Sequence, residues 1–118
     1  MSSVIERELA GIVGSGALGD ARDPRYATDA TESQGLFGVP GAVVLPESVQ
    51  AVASVVRWCC DRDVPVIPRG GGTGFAGGCV PRADGVVIDT SRLREIRSFD
   101  PELWRIHVGA GLCTAEVH

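Results

Sequence analysis

A glycine-rich stretch in the middle of the chain has the residue types and spacing of a loop that binds an anion. It follows the short apolar run Val64–Ile67 and reads PRGGGTGFAGG from Pro68 to Gly78. Consecutive glycines let the backbone bend freely and bring several N–H groups close to one anion. Thr73 adds a hydroxyl donor, and Arg69 adds positive charge at the start of the loop. These residues predict a cradle for phosphate groups, and a glycine-rich turn without a ligand is the alternative.

The loop contains the pattern G-x-G-x-x-G from Gly72 to Gly77, but two common phosphate-binding motifs do not fit it. The Rossmann motif needs a helix to begin at the loop, because the helix N-terminus binds the pyrophosphate. Here only a few residues separate the loop from the next apolar run, and Pro81 interrupts them. The P-loop needs Lys and Ser or Thr where Gly78 and Cys79 stand. What remains is a glycine loop at a strand end that could bind a diphosphate without a helix.

Three short apolar runs predict the strands that position this loop. They are Val43–Leu45, Val64–Ile67 and Val86–Ile88. Ser48 is a suitable N-cap for a helix from about Val49 to Cys60, between the first and second runs. A strand, a helix and a strand in close succession favour a parallel crossover. The sequence therefore predicts a small parallel sheet with this helix packed on it.

The helix has an apolar stripe that should face the sheet. Its predicted members are Val49, Val52, Ala53, Val56, Cys59 and Cys60. The two neighbouring cysteines would thus lie on or beside the buried face. The chain has four cysteines and two histidines, and the cysteines Cys59, Cys60, Cys79 and Cys113 show no C-x-x-C spacing. We therefore expect neither a metal site nor a disulfide.

The N-terminal part predicts one helix and then an irregular segment. Ser3 and Glu6 have the spacing of a capping box, and apolar residues follow at helical spacing up to the glycines around Gly14. The next residues are rich in turn formers and show no sustained period. We therefore divide the chain into an N-terminal helix and irregular segment, 1–40, and a second domain, 41–118.

The C-terminal part predicts a β-hairpin. The runs Ile96–Phe99 and Trp104–Val108 flank the turn sequence Asp-Pro-Glu at 100–102. In the second arm the apolar residues alternate with polar ones, which places His107 on the polar face.

Composition and charge exclude several classes of protein. The 118 residues carry a formal net charge of -4 and no cluster of Lys and Arg, which argues against a nucleic-acid partner. No apolar stretch approaches the length of a membrane-spanning helix, and the N-terminus lacks the apolar core of an export signal. We expect a cytoplasmic protein with reduced thiols.

The loop and its flanking runs together resemble a known family. PRGGGTGFAGG, preceded by VVLPESVQAVASVVRWCCDRDVPVI and followed by GVVIDTSRLREI, is similar to the FAD-binding domain of the vanillyl-alcohol oxidase type, also called the p-cresol methylhydroxylase (PCMH) type. Within this type, the chain resembles the FAD-linked oxidases of glycolate and D-lactate. The resemblance extends from about Tyr26 to the end of the chain. It implies an α/β (α+β) fold: a small parallel β-sheet with helices, the first half of such a domain, then the start of an antiparallel second subdomain.

The resemblance also implies which residues bind FAD. The diphosphate would lie against Arg69, Gly70, Gly71, Gly72, Thr73 and Gly74, with Gly77 and Gly78 continuing the wall. Pro46 matches a position near the adenine end, and Gly109 and Gly111 fit a segment that turns beside the flavin. Some relatives carry in this loop a histidine that bonds covalently to the flavin. Thr73 stands there in this chain, which favours non-covalent FAD.

The function implied by the resemblance is the oxidation of a 2-hydroxy acid such as glycolate or D-lactate. Family members continue for hundreds of residues, so we expect this chain to be an FAD-binding part completed by a missing C-terminal region or by a partner chain. The alternatives are a non-catalytic flavin- or nucleotide-binding module and a small structural domain that keeps the loop as a turn. No catalytic residue is assigned, because His107 is distant in sequence from the loop and Asp29 and Asp89 fit structural roles.

Overall fold

The computed structural model describes residues 3–29, 35–74, 76–82 and 84–117. The helices and strands follow in the order α1 (Val4–Val13), β1 (Ala42–Val44), α2 (Val49–Asp61), β2 (Val66–Arg69), β3 (Val86–Asp89), β4 (Ile96–Asp100), β5 (Arg105–Val108) and α3 (Thr114–Val117). Two short 3-10 turns, Ser15–Ala17 and Pro24–Tyr26, lie between α1 and β1. None of the helices in these ranges is long and apolar enough to cross a membrane.

The predicted parallel sheet is confirmed. β3 lies in its centre and pairs in parallel with β1 on one side and with β2 on the other. β2 begins at Val66 rather than at Val64, because the N–H of Val64 donates to the carbonyl oxygen of Cys59 (2.9 Å) and so belongs to the end of α2. The edge position of β2 also tolerates Pro68, which cannot donate to a neighbouring strand. The parallel pairing brings the carboxyl ends of all three strands to one edge of the sheet.

Both faces of the sheet are covered, as a parallel sheet requires. On one face the two helices and the strands share a core of Leu9, Ala42, Val44, Val55, Trp58, Cys59, Val86 and Ile88. On the other face the core consists of Tyr26, Val43, Ile67 and Val87. Alternate residues of each strand thus belong to opposite layers, as the pleat of a strand dictates.

The buried stripe of α2 differs in part from the prediction. Cys59 is buried as expected, but the other buried residues are Val55 and Trp58, while Val49, Ala53 and Cys60 are exposed. The reason is that α2 packs against α1 as well as against the sheet, and Leu9 of α1 lies in the same core as Val55 and Trp58. The buried face of α2 therefore depends on contacts with both α1 and the sheet, and the sequence indicated only the contact with the sheet.

The predicted capping box begins α1. The Ser3 hydroxyl accepts from the N–H of Glu6 (3.1 Å), and the Glu6 carboxylate accepts from the N–H of Ser3 (3.4 Å). The helix ends at Gly14, whose φ of 87° suits glycine. These local signals fix both ends of the helix that covers α2.

The irregular segment after α1 is part of the core. It pairs with the free edge of β1, since the N–H of Gly19 donates to Val43 (2.8 Å) and the N–H of Leu45 donates to Ala17 (2.7 Å). Further along, Tyr26 is fully buried against the second face of the sheet. Residues on both sides of position 40 therefore share both cores, and the division at that position stays a prediction.

The predicted hairpin forms from β4 and β5, which pair antiparallel in a sheet separate from the parallel one. Trp104 is not in the second strand as expected: it lies in the turn with φ of 55°, and its side chain is 94% exposed. β4 extends to Asp100, so the four-residue turn lies one residue later than the apolar pattern indicated and β5 begins at Arg105. His107 is exposed within β5, opposite Ser98 of β4.

The burial of α2 predicts different reactivities for the cysteines, all of which are free. Cys59 is buried, and burial raises the pKa of its thiol, whereas Cys60 and Cys113 are exposed. Because the thiolate is the reactive form, iodoacetamide should alkylate Cys60 and Cys113 in the folded protein and leave Cys59 unmodified. Mass spectrometry of the peptides would measure this, with the urea-unfolded chain as the control in which all react. Equal rates at Cys59 and Cys60 in the folded protein would contradict the packing of α2.

Candidate functional site

A cleft of about 380 Å³ lies beside the carboxyl edge of the parallel sheet. Gly70, Gly71 and Thr73 line it from the loop after β2, and Thr90, Ser91 and Arg94 line it from the loop after β3. The remaining lining comes from residues 110–114, which follow β5. Open α/β sheets bind ligands at this edge, so the cleft is where the fold favours a ligand.

The glycine loop presents backbone donors that the fold does not use. Within the described ranges, none of the N–H groups from residue 70 to residue 74 donates to a protein acceptor. Gly70, Gly71 and Thr73, which line the cleft, are exposed. A Cβ added at Gly70 would meet no atom within 4 Å, and one at Gly71 would meet only the Thr73 side chain at 4.0 Å. The loop thus combines free donors with open space, and this arrangement fits a phosphate group.

Gly72 has a structural reason to be glycine. Its φ is +73°, and a Cβ there would lie 2.3 Å from Nη2 of Arg69. Other residues adopt this region of φ only with strain, and here the added atom would also displace a buried guanidinium. Gly72 therefore sets the path of the loop over Arg69.

The side chain of Arg69 lies beneath the loop and outside the cleft lining. It is buried, and its Nη1 donates to the carbonyl oxygen of Thr28 (2.9 Å) and contacts the sulfur of Cys79 (3.6 Å). Its guanidinium also lies over the ring of Tyr26, 5.6 Å from the centroid. These contacts tie the start of the loop to the irregular segment. The expected role of Arg69 as a diphosphate ligand stays a prediction.

The other predicted loop residues are divided between two places. Gly77 and Gly78 line a second hollow of about 580 Å³ beside β2, together with Ala76, Val80 and Arg82 among others. Gly74 lies close to the buried Asp29, whose Oδ2 would be 3.9 Å from an added Cβ. Only Gly70, Gly71 and Thr73 of the predicted set thus lie together in the cleft.

Asp89, at the end of β3, is held by hydrogen bonds within the protein. Its Oδ2 accepts from the hydroxyl of Tyr26 (2.7 Å), and its Oδ1 accepts from the N–H of Ser91 (2.9 Å). Both oxygens are thus engaged in fixing the chain beneath the cleft, in agreement with the structural role expected for Asp89. Burial, together with the hydrogen bond and the negative charge of Asp89, raises the pKa of Tyr26 from 10.0 to about 12.

Gly109 and Gly111 bring the segment after β5 against the loop after β3. The N–H of Gly109 donates to Glu95 (2.7 Å), and the N–H of Gly111 donates to Leu93 (2.8 Å). An added Cβ would lie 2.2 Å from the carbonyl oxygen of Leu93 at Gly109, and 2.0 Å from that of Thr90 at Gly111. No side chain fits in either place. These glycines therefore fix the part of the cleft formed by residues 110–114.

Sequence reasoning missed Thr90, Ser91 and Arg94 as lining residues. A signal for the first two was present, because they lie within three residues of the end of the third predicted strand and carboxyl ends of parallel strands meet at one edge. His107 does not line the cleft. In the part of the chain that the structure describes, no group of three His, Cys, Asp or Glu could hold a metal ion. The expectation of no metal stays a prediction, and no catalytic residue is assigned.

Comparison with known proteins places this chain in a described family. Residues 40–118 match the family of the FAD binding domain. A D-2-hydroxyglutarate–pyruvate transhydrogenase of Saccharomyces cerevisiae is 30% identical over 81 residues, which are 69% of this chain and 16% of that protein. The glycolate oxidase subunit GlcD of Escherichia coli is 37% identical over 73 residues, 62% of this chain and 15% of that protein. The chain thus spans about one sixth of the length of these curated relatives.

Solved structures share the fold at lower identity. An alkyldihydroxyacetonephosphate synthase superposes with a TM-score of 0.80 and 22% identity, over 96% of this chain and 23% of that one. A p-cresol methylhydroxylase superposes with a TM-score of 0.78 and 20% identity, again over 96% of this chain and 23% of that one. The parallel sheet followed by a separate antiparallel sheet is therefore the fold of a PCMH-type domain, as the resemblance in sequence implied.

The hydrogen bond beneath the cleft predicts an alkaline loss of stability. Tyr26 has a pKa of about 12 in the folded chain and 10.0 as an ordinary tyrosine. Because the pKa of Tyr26 is higher in the folded state, its protonated hydroxyl contributes fully to the free energy of unfolding below pH 10. This contribution is lost as the pH rises through 12. From urea unfolding, the free energy of unfolding should therefore fall more steeply between pH 10 and 12 in the wild type than in Tyr26→Phe. Equal slopes in the two proteins across this window would show that the pKa of Tyr26 is not raised.

Proposed function

Because the chain belongs to the FAD binding domain family, we propose that its glycine loop holds the diphosphate of non-covalently bound FAD in the cleft at the carboxyl edge of the sheet. The observation that carries this proposal is the set of unused N–H donors of the loop, of which those of Gly70, Gly71 and Thr73 lie beside that cleft. Backbone donors converging on one point bind phosphate oxygens without any charged side chain. The loop would therefore position FAD through its diphosphate, which joins the adenosine and flavin parts.

The polar lining of the cleft supports the same placement. Thr73, Thr90 and Ser91 add hydroxyl groups that can donate to phosphate oxygens. Within the described ranges no carboxylate is among the residues that line the cleft. The resemblance in sequence aligns Thr73 with the histidine that bonds to the flavin in some relatives, and this is the support for non-covalent binding.

We propose a 2-hydroxy acid as the substrate of the protein that contains this domain. The support is the similarity to proteins named for glycolate, D-lactate and D-2-hydroxyglutarate. When bound, FAD would supply the hydride-accepting chemistry that oxidation of a hydroxy acid requires. The residues of this chain would bind and orient the cofactor. We place the groups that bind the substrate and take its hydroxyl proton outside the described residues, in a further region or a partner chain.

The site is tested with two molecules that each carry one part of FAD. ADP carries the diphosphate without the flavin, and riboflavin carries the flavin without phosphate. In two-dimensional NMR spectra of the 118-residue chain, FAD and ADP should shift the amide signals of Gly70, Gly71 and Thr73, and riboflavin should not. Gly71→Val should abolish these shifts, because the branched side chain fills the space beside the donors. Gly16→Val is the matched control, since an added Cβ at Gly16 meets no atom within 4 Å and Gly16 lies outside the cleft lining.

Two results would contradict the proposed site. FAD binding that leaves the loop signals unmoved would place the cofactor elsewhere. Equal affinities of Gly71→Val and Gly16→Val for FAD would show that the loop is not part of the site.

The substrate class is tested on the complete FAD-loaded protein without oxygen. Glycolate, D-lactate or D-2-hydroxyglutarate should bleach the visible absorbance of the flavin, because hydride transfer reduces the isoalloxazine ring. L-Lactate serves as the control of opposite hand. A protein that holds FAD and is bleached by none of these acids would favour the non-catalytic flavin-binding module instead.

A further inference from the structure

The cleft has one charged side chain among its described lining residues, and it is not the arginine of the glycine loop. That side chain is Arg94, which follows β3 and is about half exposed. The guanidinium of Arg69 is buried beneath the loop, where Thr28, Cys79 and Tyr26 occupy it. If the cleft holds an anion, Arg94 is the cation placed to neutralise it.

The guanidinium of Arg94 forms an ion pair with Glu116. Its Nη2 donates to Oε1 of Glu116, and Oε2 of the same carboxylate accepts from the N–H of Cys113 (2.8 Å). Arg94 and Cys113 both line the cleft, whereas Glu116 does not. The hydrogen bonds from Cys113 and Arg94 lower the pKa of Glu116, so the carboxylate is ionised at neutral pH. One carboxylate thus occupies two donors that a phosphate in the cleft could use.

We propose that Arg94 binds the diphosphate of FAD, and that Glu116 competes with the diphosphate for the Arg94 guanidinium. This inference rests on the proposed function, since it needs FAD in the cleft. Guanidinium groups bind phosphate through two parallel hydrogen bonds, and these bonds are stronger than those between neutral groups. An ion pair between exposed side chains is weak, so a diphosphate held by the glycine loop can displace it. Glu116 would then lower the affinity for FAD while holding Arg94 at the cleft when no cofactor is bound.

The competition predicts opposite effects of two substitutions. Arg94→Gln removes the cation and should raise the dissociation constant for FAD about tenfold or more, the usual effect of losing a hydrogen bond to a charged group. Glu116→Gln keeps an oxygen that can accept from Cys113 but removes the competing charge, so it should lower the dissociation constant several-fold. NMR titration of the 118-residue chain measures both constants, because the amide signals of the loop report binding even when it is weak.

Arg97→Gln is the matched control. Arg97 forms a similar exposed ion pair with Glu95 (3.3 Å), and it does not line the cleft. Its substitution changes the net charge by the same amount and should leave FAD binding unchanged. Thermal unfolding without FAD would show that each variant is folded.

Three outcomes would overturn the inference, and they can be told apart. Weaker binding in both Arg94→Gln and Glu116→Gln would mean that the pair only holds residues 113–116 in place. Equal affinities of the Arg94 and Arg97 variants would remove Arg94 from the site while leaving the glycine loop in it. FAD binding to the wild type without shifts of the loop signals would overturn the proposed site and the role of Arg94 with it.

Discussion

The parallel pairing of β1 and β2 with the central strand β3 is the constraint on which the rest of the structure depends. It turns the carboxyl ends of three strands, far apart in sequence, to the same edge. The loop after β2 and the loop after β3 become neighbours there, although the described residues of these loops contain no helix that could bind phosphate. A parallel sheet must also be covered on both faces. That need explains why the irregular segment around Tyr26 is as much a part of the core as the two helices.

Charged and polar side chains beneath the cleft fix its shape, and backbone groups supply its donors. Arg69, Tyr26 and Asp89 form contacts between the irregular segment and the ends of β2 and β3. Because these side chains are buried and bonded to the protein, they hold the loop without filling the cleft. The unused N–H groups of the loop are left beside it. A chain of net charge -4 thus presents unused N–H donors beside an open cleft.

The glycines of the site serve different physical purposes, although the sequence shows them alike. Gly72 adopts a left-handed φ over Arg69, and Gly109 and Gly111 allow two backbones to touch. Gly70 and Gly71 have neither a left-handed φ nor a close backbone contact, since their surroundings are open. A ligand in this open space could accept hydrogen bonds from the unused N–H groups. Gly70 and Gly71 are therefore the glycines that support a binding role most directly.

The sequence by itself determined the elements whose signals are local. Apolar runs, the capping box at Ser3 and the turn chemistry placed α1, α2, the three parallel strands and the hairpin within a few residues, and the glycine motif indicated the family. Tertiary structure decided what depends on two partners at once. Packing on α1 chose Val55 and Trp58 as the buried face of α2, and Tyr26 and Thr28 drew Arg69 beneath the loop. Arg94 entered the cleft because Gly109 and Gly111 bring the segment after β5 close to the loop that carries it. These contacts join residues distant in sequence, so no local period or motif encodes them.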